Sequence, residues 1–345
     1  MCARLNNNLV VHRLAGDLGL RSSAAPVEAV LAYCHRRVTE FLADYPECST
    51  LGTLLQFLAN KLSTRLCEIH TDRELLDLER EYVGRGERAF ATLVQELADE
   101  NTYGITLKLQ RRSDLWEPCY VSIIDCRGTK GQRTYHTKWH ELGHLLILTD
   151  QTRLAFRRTH DNTQPKSAEE SLVDVIAGEF SFYPTLVRPY LTGEISFGRI
   201  DEIRSALCPE ASVYSSILNL AKLWPSPCIW LEARLAYKKS EQDNGQRAFA
   251  FRRTNPPALR AVHVTANTAA KEMGITMIPK FRVPAQSVIN QVFVNHLDGR
   301  EAREDLAMWG SSDGTRLPTC AVRVQAKFYG NSVHALLSPL EPDGD

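Results

Sequence analysis

The residues best suited to chemistry in this chain are His140, Glu141 and His144, set in the order His-Glu-Leu-Gly-His. The surrounding run from Tyr135 to Asp150 has helical spacing, with Trp139, Leu142, Leu145, Leu146 and Thr149 on one side. Positions four apart lie one turn apart on the same helix face, so two imidazoles there can close on one ion. Glu141 is rotated from His140 by about 100° and can stand beside that ion without ligating it. Two histidine ligands with a carboxylate general base are the parts of a zinc-dependent hydrolase. The alternative is an amphipathic helix with two ordinary histidines, and Gly143 argues against it. Glycine inside a helix costs about 1 kcal/mol relative to alanine, and a close approach of backbone, metal or substrate would explain it.

Catalytic zinc usually has three protein ligands and one open position. The third is expected in the run from Ser167 to Pro184, where Leu172, Val173, Ile176 and Phe180 form a helical apolar stripe. Ser167 reads as its N-cap and Pro184 as its stop. Glu170 is the expected ligand, with Glu169 and Glu179 as rivals. Asp174, four residues on, would take a hydrogen bond from the outer nitrogen of a ligating histidine and fix its tautomer. Ser167-x-x-Glu170 also fits a capping box, in which the glutamate would turn back to the cap instead.

These residues resemble the ImmA/IrrE-type metallopeptidases. The likeness is carried by His140 to Leu146 (HELGHLL) and by Glu170-x-x-x-Asp174 running on to Glu179-Phe180 and closing at Pro184. The strand-like CYVSIID before the first motif fits as well. The likeness is clearest from about residue 100 to 185. Two positions depart from it: Trp139 stands where a small residue is usual, and Val173 where alanine is common. The resemblance implies a zinc endopeptidase with His140, His144 and Glu170 as ligands and Glu141 as base. It also implies a protein substrate, a helix-turn-helix transcriptional repressor cut to switch on stress or mobile-element genes. The competing reading is a zinc-containing regulator that binds a repressor or DNA without cutting, and the intact Glu141 speaks against it, since binding needs no base. A zinc hydrolase of small amides is a third reading.

With 345 residues the chain is long enough for two or three domains, and 41 basic against 41 acidic residues give no electrostatic case for nucleic acid or an anionic membrane. Nine cysteines without a Cys-x-x-Cys suggest neither a disulfide framework nor a zinc ribbon, and buried reduced thiols are expected. The first residues lack a signal-peptide core, and no apolar run is long enough to span a bilayer, so a soluble cytoplasmic protein is expected.

The expected fold class is α+β. A mainly helical, gluzincin-like peptidase core with a small antiparallel sheet would be followed by a small C-terminal α+β domain. The expected divisions are a helical region over 1–99, the metallopeptidase core over 100–240 and a sensory or partner-binding domain over 246–345, separated by the polar run Ser240 to Gly245. Residues 1–25 read as a loose arm, followed by helices from Pro26, Thr53, Asp72 and Glu87. YGITLKLQ and CYVSIID read as a hairpin, with a turn at Ser113-Asp114. Between the two motif helices, Gln151 to Lys166 reads as a polar cleft rim carrying His160. Helices are expected over 196–207, 212–224 and CIWLEARLAYKK; a strand at LRAVHVTA; extended or mixed chain over 274–294, with Pro279 and Pro284 limiting helix; and a hairpin about Gly330-Asn331.

Overall fold

A computed structural model of the chain describes residues 5–20, 24–110, 112, 114, 116–149, 166–237, 256–310 and 317–340, and residues 155–159 through their backbone. His160, Ser113, the run from Ser240 to Gly245 and the acidic tail lie outside the described residues. Two compact units are formed: residues 1–186 with 205–212, and residues 187–204 with 213–345.

The first unit opens with α1 (Leu9–Asp17), where a loose arm was expected. Its signal is Asn8, whose side chain accepts from Val10 N. The helix buries only Val11 and Ala15 while Leu9 and Val10 face solvent, so its apolar pattern does not mark the buried face. α2 (Pro26–Leu42) starts on proline and buries Val27, Val30, Cys34 and Val38 at helical spacing. α3 (Leu51–Lys61) and α4 (Asp72–Gly84) each begin with a capping box, Thr50 with Thr53 and Thr71 with Glu74. Between them runs β1 (Thr64–Ile69). The helix expected from Glu87 is a short 3-10 turn followed by α5 (Leu93–Leu97). β2 (Thr102–Lys108) and β3 (Tyr120–Asp125) pair antiparallel, as the hairpin reading requires. Then come α6 (Thr134–Leu146), β4 (Ala155–Thr159), α7 (Ala168–Phe180) and α8 (Pro184–Val187).

The sheet of this unit has the order β1-β3-β2-β4. It is mixed rather than antiparallel, because β1 lies parallel to β3. A helical crossover, not a tight turn, leads out of β1, and only such a connection allows parallel neighbours. One face of the sheet, with Cys67, Ile69, Ile105, Leu107, Val121 and Ile123, packs on the apolar side of α4 and α5. The other face carries Thr64, Gly104, Thr106 and Ser122, and α6 lies against it.

Beyond residue 186 come α9 (Phe197–Leu207), α10 (Val213–Leu223), β5 (Ile229–Ala236), β6 (Ala258–Ala266), α11 (Thr268–Glu272), α12 (Val288–Asn295), β7 (Gly299–Asp305), β8 (Ala321–Tyr329) and β9 (Ser332–Pro339). The five strands form one antiparallel sheet in the order β6-β5-β9-β8-β7. Its core joins Leu231, Ala261, Val324 and Ala335 to Ile289 and Val292 of α12. β5 corrects the helix expected at CIWLEARLAYKK, and of the extended or mixed segment expected over 274–294, α12 is the helical part, beginning beyond Pro279 and Pro284. Ser287 supplies the cap of α12, its hydroxyl accepting from Ile289 N. The β8–β9 hairpin forms as expected, and Gly330 has a φ of 61° in its turn. Among the described residues no helix is long and apolar enough to cross a membrane, and the described cysteines are all free thiols.

Candidate metal centre

α6 is buried on almost every side, from Tyr135 and from Thr137 through Leu146. It is thus a central helix rather than an amphipathic one, and it ends at Leu146, short of Thr149. The Arg37 guanidinium donates to the carbonyl of Leu146 at 2.7 Å and so closes the helix C-terminus with positive charge. Trp139 is in the core with its ring edge-on to Tyr135, so its bulk fills the interior.

Gly143 faces α7. A Cβ built there would sit 3.0 Å from Val173 Cγ1 and 3.6 Å from Ile176 Cγ2. The glycine therefore lets the two motif helices approach, which is the backbone contact its position suggested. α7 starts at Ser167, whose hydroxyl accepts from Glu170 N at 3.1 Å. The capping box stops there, because the Glu170 side chain turns toward the histidines instead of back to the cap.

That turn completes a cluster. Donor atoms of His140, His144 and Glu170 all lie within 4.8 Å of one another. Glu170 Oε2 is 3.0 Å from His140 Nε2, and its Oε1 is 3.2 Å from His144 Nε2. Ion–donor bonds of about 2.0–2.2 Å at tetrahedral angles put such donors about 3.4 Å apart. The two histidine–carboxylate separations fall within a few tenths of an ångström of that span. His140 Nδ1 lies 3.0 Å from Asp174 Oδ1, and Lys166 Nζ donates to Asp174 Oδ2 at 2.6 Å. This fixes the proton of His140 on Nδ1 and turns Nε2 into the cluster with its lone pair, as metal ligation needs. The rivals of Glu170 are placed elsewhere. Glu169 Oε1 is 3.8 Å from His144 Nδ1, and Glu179 bonds His35 Nε2 at 3.0 Å. Tyr183 stacks on Phe180 and His35 and meets Thr39, while Tyr190 belongs to the second unit.

Glu141 is fully buried against the sheet. Thr106 donates to its Oε2 at 2.6 Å. Since a carboxylate can only accept, Thr106 must in turn accept from Ser122, at 2.6 Å, and Ser122 from Thr64, at 3.1 Å. A row of three hydroxyls across three strands thus ends on Glu141. These three residues were missed at the sequence level. Their signal was the presence of hydroxyl side chains inside strands that are otherwise apolar. Glu141 Oε1 is buried and has no hydrogen-bond partner among the described residues. A Cβ on Gly104 would stand 2.8 Å from that oxygen, so only glycine at this point of β2 admits the carboxylate.

The charges follow from these contacts. Burial raises the Glu141 carboxyl above the usual range, although His140, His144 and Thr106 pull it down. Burial would raise Glu170 too, but the close approach of the His140 and His144 imidazoles outweighs it and holds it at about 2. Asp174 behaves likewise: burial opposes its ionisation, yet His140 and Lys166 keep its carboxyl far below the ordinary value. The group thus combines two imidazoles, an ionised carboxylate and a neighbouring basic carboxylate, a donor set suited to a divalent ion of the zinc class. Asp174→Asn should lower metal affinity about 10- to 100-fold by removing the acceptor that orients His140. Competition with a chromophoric chelator measures it, and unchanged affinity would remove Asp174 from this role.

No family model matches the chain, and no curated protein matches it either.

Proposed function

We propose that the first unit is a gluzincin-type zinc endopeptidase. The observation that carries this reading is the meeting of His140, His144 and Glu170 beside a buried carboxylate whose Oε1 is unpartnered. When bound there, a zinc ion supplies Lewis acidity, polarising a carbonyl and making a water molecule acidic. Glu141 does the proton work. Its Oε1 takes a proton from the attacking water and delivers it to the leaving amide nitrogen. Burial suits it to this shuttling, since raising the carboxyl above its usual range brings it closer to the working pH, where it can both take and return a proton. Thr106 holds the other oxygen and keeps the carboxylate from rotating away.

The sheet supports a polypeptide substrate. β4 pairs with β2 on one side, and among the described residues no strand lies on its other side. Such an edge can add an extended peptide through main-chain hydrogen bonds. The likeness to the ImmA/IrrE-type peptidases, resting on the motif residues themselves, points to a transcriptional repressor as the peptide's source. The second unit suits a sensory role: it holds a cavity of about 770 Å³ whose lining includes Arg282, Gln286, Asn290 and Met308, a size fitting a small ligand.

The direct test incubates the purified protein, with and without added zinc, with the repressors encoded beside its gene. Zinc-dependent fragments are expected. Tight binding without fragments at any zinc level would favour the non-cutting regulator. Gly104→Ala sharpens the test. The added methyl displaces the Glu141 carboxylate, so hydrolysis should fall by about tenfold or more, since positioned acid–base groups contribute roughly 10²–10⁴-fold. Metal content should stay at the wild-type level, and wild-type activity with that methyl in place would show that Glu141 need not sit where Gly104 admits it.

A further inference from the structure

A second mixed-donor cluster stands in the first unit, at the ends of its two parallel strands. The β1–β3 ladder sets Ile69 opposite Asp125, and it continues one step, with Cys126 N donating to Ile69 O at 2.8 Å. Side chains alternate along each strand, so Glu68, His70 and Cys126 emerge on one common side. Their donor atoms all lie within 4.8 Å of one another. Cys126 Sγ is 3.9 Å and His70 Nε2 3.8 Å from the same oxygen, Glu68 Oε2.

We propose that Glu68, His70 and Cys126 bind a second divalent ion of the zinc class, apart from the site of His140, His144 and Glu170. A thiolate, an imidazole and a carboxylate are the donors that favour zinc over the hard cations. Bonds of about 2.0–2.3 Å at tetrahedral angles separate such donors by about 3.4–3.6 Å. The observed 3.8 and 3.9 Å therefore close with small side-chain shifts.

The surroundings are arranged for it. Lys138 Nζ holds the other oxygen of Glu68, Oε1, at 2.6 Å, and Glu210 Oε2 at 2.7 Å. This pins the Glu68 carboxylate with Oε2 turned toward the imidazole and the sulfur. Two carboxylates and a thiolate against one ammonium leave two negative charges, which one divalent cation balances. The backbone of His70 is fixed as well, since its amide and that of Thr71 both donate to Glu74 Oε2. Thr134 Oγ lies 3.1 Å from Cys126 Sγ, within reach to donate to a thiolate. Burial pushes the free Cys126 thiol up, and an ion reverses that preference by taking the thiolate directly. The His70 side chain is 60% exposed, which gives the ion a way in.

Cobalt(II) separates the two sites, because thiolate-to-cobalt charge transfer absorbs in the near ultraviolet and only this cluster offers sulfur. The metal-free full-length chain is titrated with cobalt. The wild-type protein is expected to develop the charge-transfer band, and Cys126→Ser to lose it. His70→Ala, at a largely exposed position, should move the titration midpoint to higher cobalt. His144→Ala should keep the band, so the result stands whether or not the first cluster binds metal. No band at saturating cobalt, a band that survives Cys126→Ser, an unmoved midpoint in His70→Ala, or loss of the band in His144→Ala would each overturn the assignment.

Discussion

Glu141→Gln should keep its metal and lose peptide hydrolysis by about 10²–10⁴-fold, the range that positioned general acid–base groups contribute. The replacement is nearly isosteric, so it fits the space that Gly104 leaves and can still accept the hydrogen bond from Thr106. An amide cannot take up the proton of an attacking water, and that is the one property removed. Glu141 is not among the three clustered donors, so zinc content should match the wild type. Folding stability should not fall, because burial already disfavours the ionised form of this carboxyl. The decisive comparison is turnover per bound zinc: an unchanged value in Glu141→Gln would rule out Glu141 as the base.

His144→Ala should lose the metal of the His140–His144–Glu170 centre, and hydrolysis with it. His144 is buried, and its Nε2 is one of the two nitrogens that Glu170 spans. Without it, a single histidine and a single carboxylate remain, fewer than the three protein ligands that catalytic zinc sites use. Metal that binds only the folded state stabilises it, by about 2.7 kcal/mol at a hundredfold excess over the dissociation constant. Added zinc should therefore raise the melting temperature of Cys126→Ser, which lacks the thiolate of the second cluster, and leave that of the double variant Cys126→Ser/His144→Ala unmoved. The double variant still carrying stoichiometric zinc after dialysis would show that His144 is not a ligand.

The convergence of His140, His144 and Glu170 was legible because it rests on short spacings within two helices and on one polar side chain in each place where apolar residues would serve packing alone. Asp174 was legible for the same reason, four residues beyond Glu170. The hydroxyl row of Thr64, Ser122 and Thr106 was not, because it depends on the register of three strands. The cluster at Cys126 was hidden more deeply: the sequence admits a strand near Leu66 to Ile69, but the cluster needs that strand parallel to β3, which no local pattern gives. β5 was misread because it is a central strand buried on both faces from Ile229 to Ala233. Such strands lack alternation, and their apolar runs fit a helix equally well. α12 was legible only in part: Pro279 and Pro284 limit helix in that segment and its valines favour extended chain, but the capping Ser287 lies beyond both prolines and the core around Ile289 overrides the preference.

The position of β9 in the second unit bears on how the chain reaches this state during synthesis. β9 is the last described strand, yet it lies in the middle of its sheet, between β5 and β8. The rung joining Ile229 to Leu337 spans most of that unit, so the sheet cannot close until its far end has been made. Until then β5, apolar through Ile229, Trp230 and Leu231, has one bare edge open to other chains. Translation halted before Ser332 should yield an aggregating nascent product, and rapid completion of the last hairpin is what shields the half-built sheet.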